Sequence, residues 1–319
     1  MPDPQSPQPR VVADGPLAAN ILELLDGHVE VLPWDLTQSG KHEDVAGVYT
    51  YGHPLLDGDM LDRLPNVKVI SNYGVGVDHI NLPDAAERGI PVGNTPGILD
   101  GATADQGMTL LLAAGRRLIE GDRYARSPEF THFDPGYMLG QEVHSMTLGI
   151  VGLGRIGWQV ARRARAFDMQ ILYHNRRPRP DAEQELGARY CAIDELLSSS
   201  DYVMLTAPLT DETRGLINSA ALAKMKPTAI LVNIARGPLV DTDALTEALR
   251  EGRIAGAGLD VTDPEPLPRN HPLLTLDNVV IAPHLGSATV QTRQRMAEMS
   301  VQNLLAGLRG ESLPCQVKA

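Results

Sequence analysis

From Pro9 to about Asn94 the chain alternates between short β-branched, apolar runs and longer polar stretches with helical spacing. Five such runs stand out: VVA, EVLP, VAGVYTYG, VKVISN and IPVGN. Short apolar runs separated by helical segments are typical of parallel strands joined by helices. The pattern predicts a small α/β domain with a parallel sheet.

A second and stronger series of alternating segments begins at TLGIVGLGRIG. Its predicted strands end near six positions: Val151, His174, Leu205, Asn233, Asp260 and Ala282. A regular return of strand and helix predicts a doubly wound parallel sheet. The chain is therefore expected to belong to the α/β class, with two flavodoxin-like or Rossmann-like domains, of which the second is the larger.

Helical segments lie on either side of the second series. TADQGMTLLLAAGRRLIEG has the apolar spacing of a long helix that begins at Thr103, ends near Gly121 and links the domains. After His284 the pattern is helical again, and a terminal helix of this kind would return to the first domain. We therefore predict a discontinuous domain at residues 1–101 and 287–319, and a second domain at residues 102–286.

Composition restricts the partners and the location of the protein. Among 319 residues, 40 acidic and 28 basic side chains give a net charge of −12, which argues against nucleic acid or an anionic membrane as the main partner. The longest apolar run, MTLLLAA, is too short to cross a bilayer, and the start, MPDPQSPQPR, resembles a loose tail rather than a signal peptide. We expect a cytoplasmic protein with free thiols at Cys191 and Cys315 and no metal site.

The motif GLGRIG places Gly152, Gly154 and Gly157 directly after a predicted strand and before a predicted helix. Such a motif alone is common by chance, and a glycine-rich turn without a ligand is the alternative. In this context each glycine has a function: the tight turn, the close approach of backbone to a pyrophosphate, and the close packing of helix on strand. The pyrophosphate would bind at the helix N-terminus, so the larger domain is predicted to bind a dinucleotide.

The next strand ends in HNRRP, where dinucleotide-binding proteins usually carry an acid for the adenosine ribose. Asn175 takes that place and is followed by Arg176 and Arg177. A carboxylate there would repel a 2′-phosphate, whereas arginines bind one through paired, charge-assisted hydrogen bonds. NADPH is therefore the predicted cofactor, with NADH also possible. Solvated surface arginines in an exposed loop are the alternative.

Three later loops carry reactive side chains, and each follows a predicted strand of the second sheet: Arg236, Glu265 and His284. Arginine can bind a substrate carboxylate through two hydrogen bonds and orient it. Histidine can donate a proton to a carbonyl oxygen, and an ionised glutamate at its other ring nitrogen would favour the protonated ring. Singly, each residue also fits an ordinary structural role. Together, at the ends of three strands, they indicate reduction of a 2-oxo acid.

Four longer motifs resemble those of the D-2-hydroxyacid dehydrogenases: GLGRIG, NIARGPLVD, AGLDVTDPEPLP and APHLGSAT. The resemblance covers nearly the whole chain, and the segments PEPLPRNHPLLTLDNVVIAPHLGSAT and NLLAGLRGESLP are most similar to glyoxylate and hydroxypyruvate reductases. It implies a homodimer of two-domain subunits with the active site in the cleft. It also implies the roles given above for Arg236, Glu265 and His284.

The resemblance adds residues of the first domain and of the pocket edge. In the family, backbone N–H groups of a loop matching SNYGVGVDHI bind the substrate carboxylate, which nominates Val75 and Gly76. A serine after the catalytic histidine nominates Ser287. Related reductases narrow the pocket with an aromatic residue of the partner subunit, usually tryptophan, and this chain offers Tyr137.

Further positions match cofactor contacts of the family. Beside the three glycines, Asn175 and the two arginines, the positions are Thr103, Arg155, Ile156, Pro208, Thr213, Ile234, Asp260, His284 and Gly286. A family acid near the start of the linking helix is Asp105 here, shorter than the usual glutamate.

Three hypotheses follow. The first is NADPH-dependent reduction of glyoxylate to glycolate and of hydroxypyruvate to D-glycerate. The second is a D-2-hydroxyacid dehydrogenase of broader specificity. The third is a binding protein that senses nicotinamide, because transcriptional corepressors resemble this family. The short tail and the presence of all three reactive residues favour an enzyme.

Overall fold

A computed structural model describes residues 7–318, so the first six residues of the predicted N-terminal tail lie outside the described residues. The chain divides into two compact units. One runs to Leu99 and resumes at Thr289, and the other comprises Asp100–Ala288. The boundaries lie within two residues of those predicted at 101/102 and 286/287.

Both units are α/β. The strands are β1 Arg10–Ala13, β2 Glu30–Pro33, β3 Val45–Thr50, β4 Ile70–Asn72, β5 Val92–Gly93, β6 Thr147–Val151, β7 Gln170–His174, β8 Arg189–Tyr190, β9 Tyr202–Leu205, β10 Ile230–Asn233, β11 Gly256–Leu259 and β12 Val279–Ile281. The α-helices are α1 Ala19–Leu25, α2 Gly58–Asp62, α3 Leu82–Glu87, α4 Asp100–Gly115, α5 Leu118–Ala125, α6 Arg155–Arg165, α7 Pro180–Leu186, α8 Ile193–Ser199, α9 Ser219–Leu222, α10 Thr242–Arg250 and α11 Val290–Leu308. Short 3-10 helices occupy Trp34–Gln38, Gly237–Leu239 and Pro272–Thr275.

The first unit contains a five-stranded parallel sheet in the order β2-β1-β3-β4-β5. Helix α11 packs on this sheet although it follows the second unit in sequence. The Tyr49 hydroxyl lies 2.7 Å from that of Ser300, and the Ser71 hydroxyl donates to the Ser300 carbonyl at 2.7 Å. Buried polar groups on β3 and β4 thus find their partners on α11, which makes the terminal helix part of the first unit.

The second unit contains a seven-stranded parallel sheet in the order β12-β11-β10-β9-β6-β7-β8. Successive residues of each inner strand enter opposite hydrophobic layers: Val203 and Leu205 of β9 face one layer, while Tyr202 and Met204 face the other. Burial on both faces explains why the strands are continuously apolar in sequence. The predicted doubly wound α/β fold is confirmed.

The predicted linking helix was wrong in its bounds. Helix α4 begins at Asp100 rather than Thr103 and ends at Gly115 rather than near Gly121. Arg117 then adopts a left-handed φ of 51°, and α5 begins at the next residue. At the last residue of α4 only glycine fits beside Tyr202, because a Cβ on Gly115 would lie 2.6 Å from the Tyr202 hydroxyl. Helical spacing alone did not show this close contact.

No helix within residues 7–318 has both the length and the apolar character needed to span a bilayer. The same residues contain no group of three or more His, Cys, Asp or Glu side chains arranged to hold a metal ion. Cys191 is buried and Cys315 is half-buried, and both are free thiols.

Candidate active site

The glycine-rich turn follows β6, next to the point where the strand order of the second sheet reverses. Gly152 has a φ of +98°, and a Cβ there would lie 2.5 Å from the Ala207 nitrogen. A Cβ on Gly157 would lie 2.7 Å from the Gly152 oxygen, so only glycine lets α6 pack this closely on the turn. At Gly154, by contrast, the space beside the backbone is open. These features fit a pyrophosphate, which needs free access to the backbone at this position.

Helix α6 begins at Arg155, so the backbone N–H groups of Arg155 and Ile156 belong to its first turn. N–H groups there have no partner within the helix and are suited to bind an anion. The Arg155 side chain is exposed and donates from Nε to the buried Asp100 carboxylate at 3.1 Å. A cation therefore stands beside the turn, held by the first residue of α4.

The Asn175 side chain forms two hydrogen bonds with the backbone of the glycine-rich turn. Its Oδ1 accepts from the Leu153 N–H at 2.6 Å, and its Nδ2 donates to the Leu153 oxygen at 3.3 Å. A carboxylate would lack the donor for the second contact. Arg176 and Arg177 follow with exposed side chains. The three residues predicted to surround the ribose are therefore next to the turn, with the two arginines facing solvent.

The loop after β10 carries Arg236 and is fixed by a buried asparagine. Asn233 is 1% exposed, accepts from the Ala235 N–H at 3.0 Å and donates to the Arg236 carbonyl at 2.9 Å. At Gly237 a Cβ would lie 2.0 Å from the Thr262 oxygen. The absence of a side chain at Gly237 lets this loop lie directly against the loop that leads from β11 to Glu265.

Glu265 and His284 form the pair that the sequence predicted. The Glu265 carboxylate lies 2.8 Å from His284 Nδ1. A carboxylate only accepts, so the proton in this bond belongs to Nδ1. His284 has a φ of 56°, a backbone conformation that residues other than glycine seldom adopt and that occurs at functional sites. The imidazole is half-buried.

Asp260 holds the backbone on which His284 stands. Its carbonyl accepts from the His284 N–H at 2.8 Å, and its carboxylate oxygens accept from Leu285 and Gly286 N–H, each at 2.8 Å. Gln106 of α4 donates to the same carboxylate at 3.2 Å. Burial raises the pKa of Asp260 above its ordinary value, and the two backbone N–H groups counteract that rise. Asp260 thus holds three successive amides of the histidine loop.

Comparison with known proteins places this arrangement in a family. Residues 108–286 match the sequence model described as D-isomer specific 2-hydroxyacid dehydrogenase, NAD binding domain. The chain belongs to the D-2-hydroxyacid dehydrogenases. The predicted family is therefore confirmed, the second unit is its nicotinamide dinucleotide-binding domain, and the protein is an oxidoreductase.

Relatives of this dehydrogenase cover nearly all of its length. It is 47% identical to the glyoxylate reductase of Thermococcus kodakarensis over 97% of this chain and 96% of that one. The TT0316 protein of Thermus thermophilus is 46% identical, with a TM-score of 0.88 over 97% of this chain and all of that one. An NADPH-dependent glyoxylate/hydroxypyruvate reductase of Sinorhizobium meliloti, solved with NADP and malonate, is 33% identical, with a TM-score of 0.89 over 97% of each chain.

The remaining predicted cofactor positions of this dehydrogenase lie around the same sheet edge. Thr103 is buried beside Gly286, where a Cβ on the glycine would lie 3.2 Å from the threonine methyl. Ile234 is buried after β10. Beyond β9, the Thr213 hydroxyl donates to the Pro208 carbonyl at 2.8 Å. These contacts fix the local backbone.

Two predicted positions have other contacts. Asp105 forms an ion pair with Arg163 of α6, 2.7 Å between Oδ1 and Nε, so the shorter acid joins two helices of the domain. Tyr137 is half-exposed, and its ring centroid lies 4.8 Å from that of Tyr124 in the same unit. Ser287 is half-buried directly after the segment held by Asp260.

The predicted substrate loop belongs to the first unit, and its carbonyl groups are held by side chains. Asn72 donates to the carbonyls of Gly74 and Gly76, both at 2.9 Å. Asn94 donates to the Val75 carbonyl at 2.8 Å. Three successive peptide groups are thereby fixed in orientation.

Sequence reasoning missed the residues that position the site. Asn233 and Gln106 were not nominated, and Asp260 was nominated only for the cofactor. Polar residues at the ends of otherwise apolar strands, as in LVNIARG, were the available signal for Asn233. Gln106 lies on a helix, where nothing in its local spacing distinguished it from a solvated side chain.

We predict that Gly237→Ala lowers kcat/KM of this dehydrogenase by about 100-fold, because the methyl group would displace the Arg236 loop, which the sequence predicts to orient the substrate. Cofactor affinity should be nearly unchanged, since the glycine-rich turn is untouched. Steady-state kinetics and calorimetry measure the two effects. Ser219→Ala is the control, because Ser219 is an exposed residue on α9. Full activity of Gly237→Ala would show that the loop contact is unimportant.

Proposed function

We propose that this protein reduces small 2-oxo acids, glyoxylate to glycolate and hydroxypyruvate to D-glycerate, with NADPH as the preferred reductant. The observation that carries the proposal is the Glu265–His284 pair, 2.8 Å apart, in a dinucleotide-binding domain. Relatives at 44–47% identity over 97% of the chain are glyoxylate reductases, which supports the same substrate class.

In this proposal Arg236 binds the substrate carboxylate. A guanidinium fork matches a carboxylate in two hydrogen bonds and so fixes the direction of the adjacent carbonyl group. Asn233 and Gly237 hold the backbone of Arg236 from both sides, which reduces the entropy lost on binding. Val75, Gly76 and Ser287 stay predicted substrate contacts, as the family resemblance implies.

His284 acts as the proton donor. A reduced nicotinamide dinucleotide, bound through its pyrophosphate at the glycine-rich turn, would supply the hydride for the carbonyl carbon. As negative charge develops on the carbonyl oxygen, His284 gives it the Nε2 proton, and the neutral ring keeps its Nδ1 proton in the bond to Glu265. The carboxylate therefore stabilises the protonated ring before transfer and fixes its orientation throughout.

The preference for NADPH rests on the charge beside the ribose position. The side chain at the end of β7 is the neutral Asn175, and Arg176 and Arg177 follow it. A neutral residue removes the repulsion that an acid would exert on a 2′-phosphate, and the arginines add attraction. The relative from Sinorhizobium meliloti is described as NADPH-dependent and was solved with NADP, which supports this choice. NADH stays usable because the turn itself binds only the common pyrophosphate.

We predict that His284→Ala lowers kcat for glyoxylate reduction by roughly 10²–10⁴-fold, because proton transfer to the oxygen is lost. Glu265→Gln should lower kcat by about 10- to 100-fold, since the amide keeps the shape but not the charge. Stopped-flow absorbance of the nicotinamide measures both. Cofactor affinity is the internal control and should stay close to that of the wild type. Wild-type kcat in His284→Ala would rule out the histidine as the donor.

We also propose that the protein is a homodimer that associates through the segment around α5. Its exposed apolar side chains, each at least half accessible, are Leu118, Phe130, Phe133, Tyr137 and Leu139. Several large exposed apolar side chains within one segment are typical of a protein interaction surface. In such a dimer we expect Tyr137 to narrow the partner's pocket, as the family resemblance implies for this position.

The double variant Phe133→Glu, Leu139→Glu is expected to sediment as a 34.4 kDa monomer, because charges would be buried in the interface. Sedimentation velocity measures the mass. Leu55→Glu is the control, since Leu55 is equally exposed but lies in the first unit. A wild-type monomer, or a dimer that survives the double variant, would contradict the assignment.

A further inference from the structure

A third arginine stands at the glycine-rich turn, and it is held far more firmly than the two that the sequence nominated. Arg179 lies two residues beyond Arg177. Its Nη1 donates to the Leu153 carbonyl at 3.2 Å, and its guanidinium carbon lies 4.9 Å from the centre of the Trp158 ring. Its backbone N–H donates to the Tyr173 hydroxyl at 2.6 Å. Both the backbone and the side chain of Arg179 are therefore fixed.

The position of this guanidinium relates it to the ribose. Leu153 lies between the first two glycines of the turn, and its carbonyl also accepts from the Asn175 amide at 3.3 Å. Two donors to one oxygen are neighbours, so the guanidinium stands beside the residue that occupies the ribose-recognition position. A 2′-phosphate on that ribose would meet Arg179.

The Asp181 carboxylate forms an ion pair with the Arg179 guanidinium. Its Oδ1 accepts from Arg179 Nε at 3.1 Å, and its Oδ2 pairs with Nη2. The hydrogen bond from Arg179 lowers the pKa of the Asp181 carboxyl, so the partner is an anion at neutral pH. A phosphate would compete with this carboxylate for the same N–H groups and would be repelled by it.

Arg176 and Arg177 are more exposed than Arg179. Their side chains are exposed, and ordering an exposed, flexible chain on a ligand costs conformational entropy. The pKa of Glu212 is lowered mainly by a hydrogen bond from Thr210 and, to a lesser extent, by the charge of Arg176. A cation that is already fixed loses less entropy on binding and discriminates more strongly.

We propose that Arg179 is the residue that determines selection for the 2′-phosphate of the cofactor, and that Asp181 moderates this selection by competing for its guanidinium. The inference rests on the proposed preference for NADPH and assigns it to a different residue. It accounts for a site in which NADPH is preferred and NADH is still used. Loss of the Arg179 charge should therefore lower the preference for NADPH, and loss of the Asp181 charge should raise it.

Binding of two probes to the full-length protein tests the proposal without any chemistry. Adenosine 2′,5′-bisphosphate carries the 2′-phosphate and AMP does not. Arg179→Met keeps an unbranched side chain against Trp158 but removes the charge, so it should weaken the bisphosphate roughly 10- to 100-fold. Asp181→Asn should strengthen the bisphosphate by about fivefold, because it removes a competing anion. In both variants AMP affinity should stay close to wild type, which shows that the site is still folded.

Two further variants separate the arginines. Arg189→Met is the matched control, because Arg189 is an exposed arginine paired with Glu195 at 2.7 Å in the same unit. It should change neither probe. The double variant Arg176→Ala, Arg177→Ala should lose less bisphosphate affinity than Arg179→Met. If the double variant abolishes the preference for the bisphosphate and Arg179→Met retains it, the proposal is overturned.

Failure of the proposed function has a different signature. If the wild type binds the bisphosphate no more tightly than AMP, the NADPH preference is wrong. Asp181→Asn then decides the present inference: a selective gain for the bisphosphate supports Arg179 as a phosphate ligand that Asp181 masks, and no gain overturns it. The ratio of kcat/KM for NADPH over NADH should follow the probe affinities in every variant.

Discussion

The carboxylate of Asp260, buried at the end of β11, fixes the geometry on which the proposed chemistry depends. Together with the carbonyl of the same residue, it holds the N–H groups of His284, Leu285 and Gly286. Left-handed backbone at a residue such as histidine costs on the order of 1–3 kcal/mol and persists only where surrounding contacts enforce it. Three hydrogen bonds to one buried residue provide that enforcement. The imidazole therefore leaves the backbone in one fixed direction, toward Glu265.

A polar residue also fixes the loop after the neighbouring strand, β10. Asn233 ends β10 as Asp260 follows β11, and its side chain holds the backbone of the Arg236 loop. Parallel strands bring both loops to one edge of the sheet, and a polar residue at each strand end orders the loop that follows. Reactive groups on loops thus gain the rigidity of the sheet, which preorganises them for the charge that develops on the substrate.

Sequence reasoning found the elements that depend on local pattern. The six predicted strand ends of the second sheet lie at or within one residue of the observed ends, because strands buried on both faces are continuously apolar and end abruptly. The glycine-rich turn and the Glu265–His284 pair were found because their residue types and positions after strands are distinctive. The two-residue strand β8 was too short to produce a pattern.

What the sequence could not show depends on contacts between distant residues. The need for glycine at the last residue of α4 depends on Tyr202, 87 positions beyond Gly115. The bond from Gln106 to Asp260 joins residues 154 positions apart. Among the arginines of RRPRP, only the structure distinguishes the fixed Arg179 from the exposed Arg176 and Arg177, because Trp158 and Leu153 come from an earlier helix and turn.

Initial rates with glyoxylate, hydroxypyruvate and pyruvate, each with NADPH and with NADH and compared as kcat/KM, test whether the protein is an NADPH-dependent reductase of small 2-oxo acids. We expect glyoxylate and hydroxypyruvate to be reduced much faster than pyruvate, and NADPH to be preferred with both. Equal rates with pyruvate would indicate a dehydrogenase of broad specificity, activity with NADH alone would contradict the cofactor assignment, and absence of turnover with all six pairs would contradict the reaction itself.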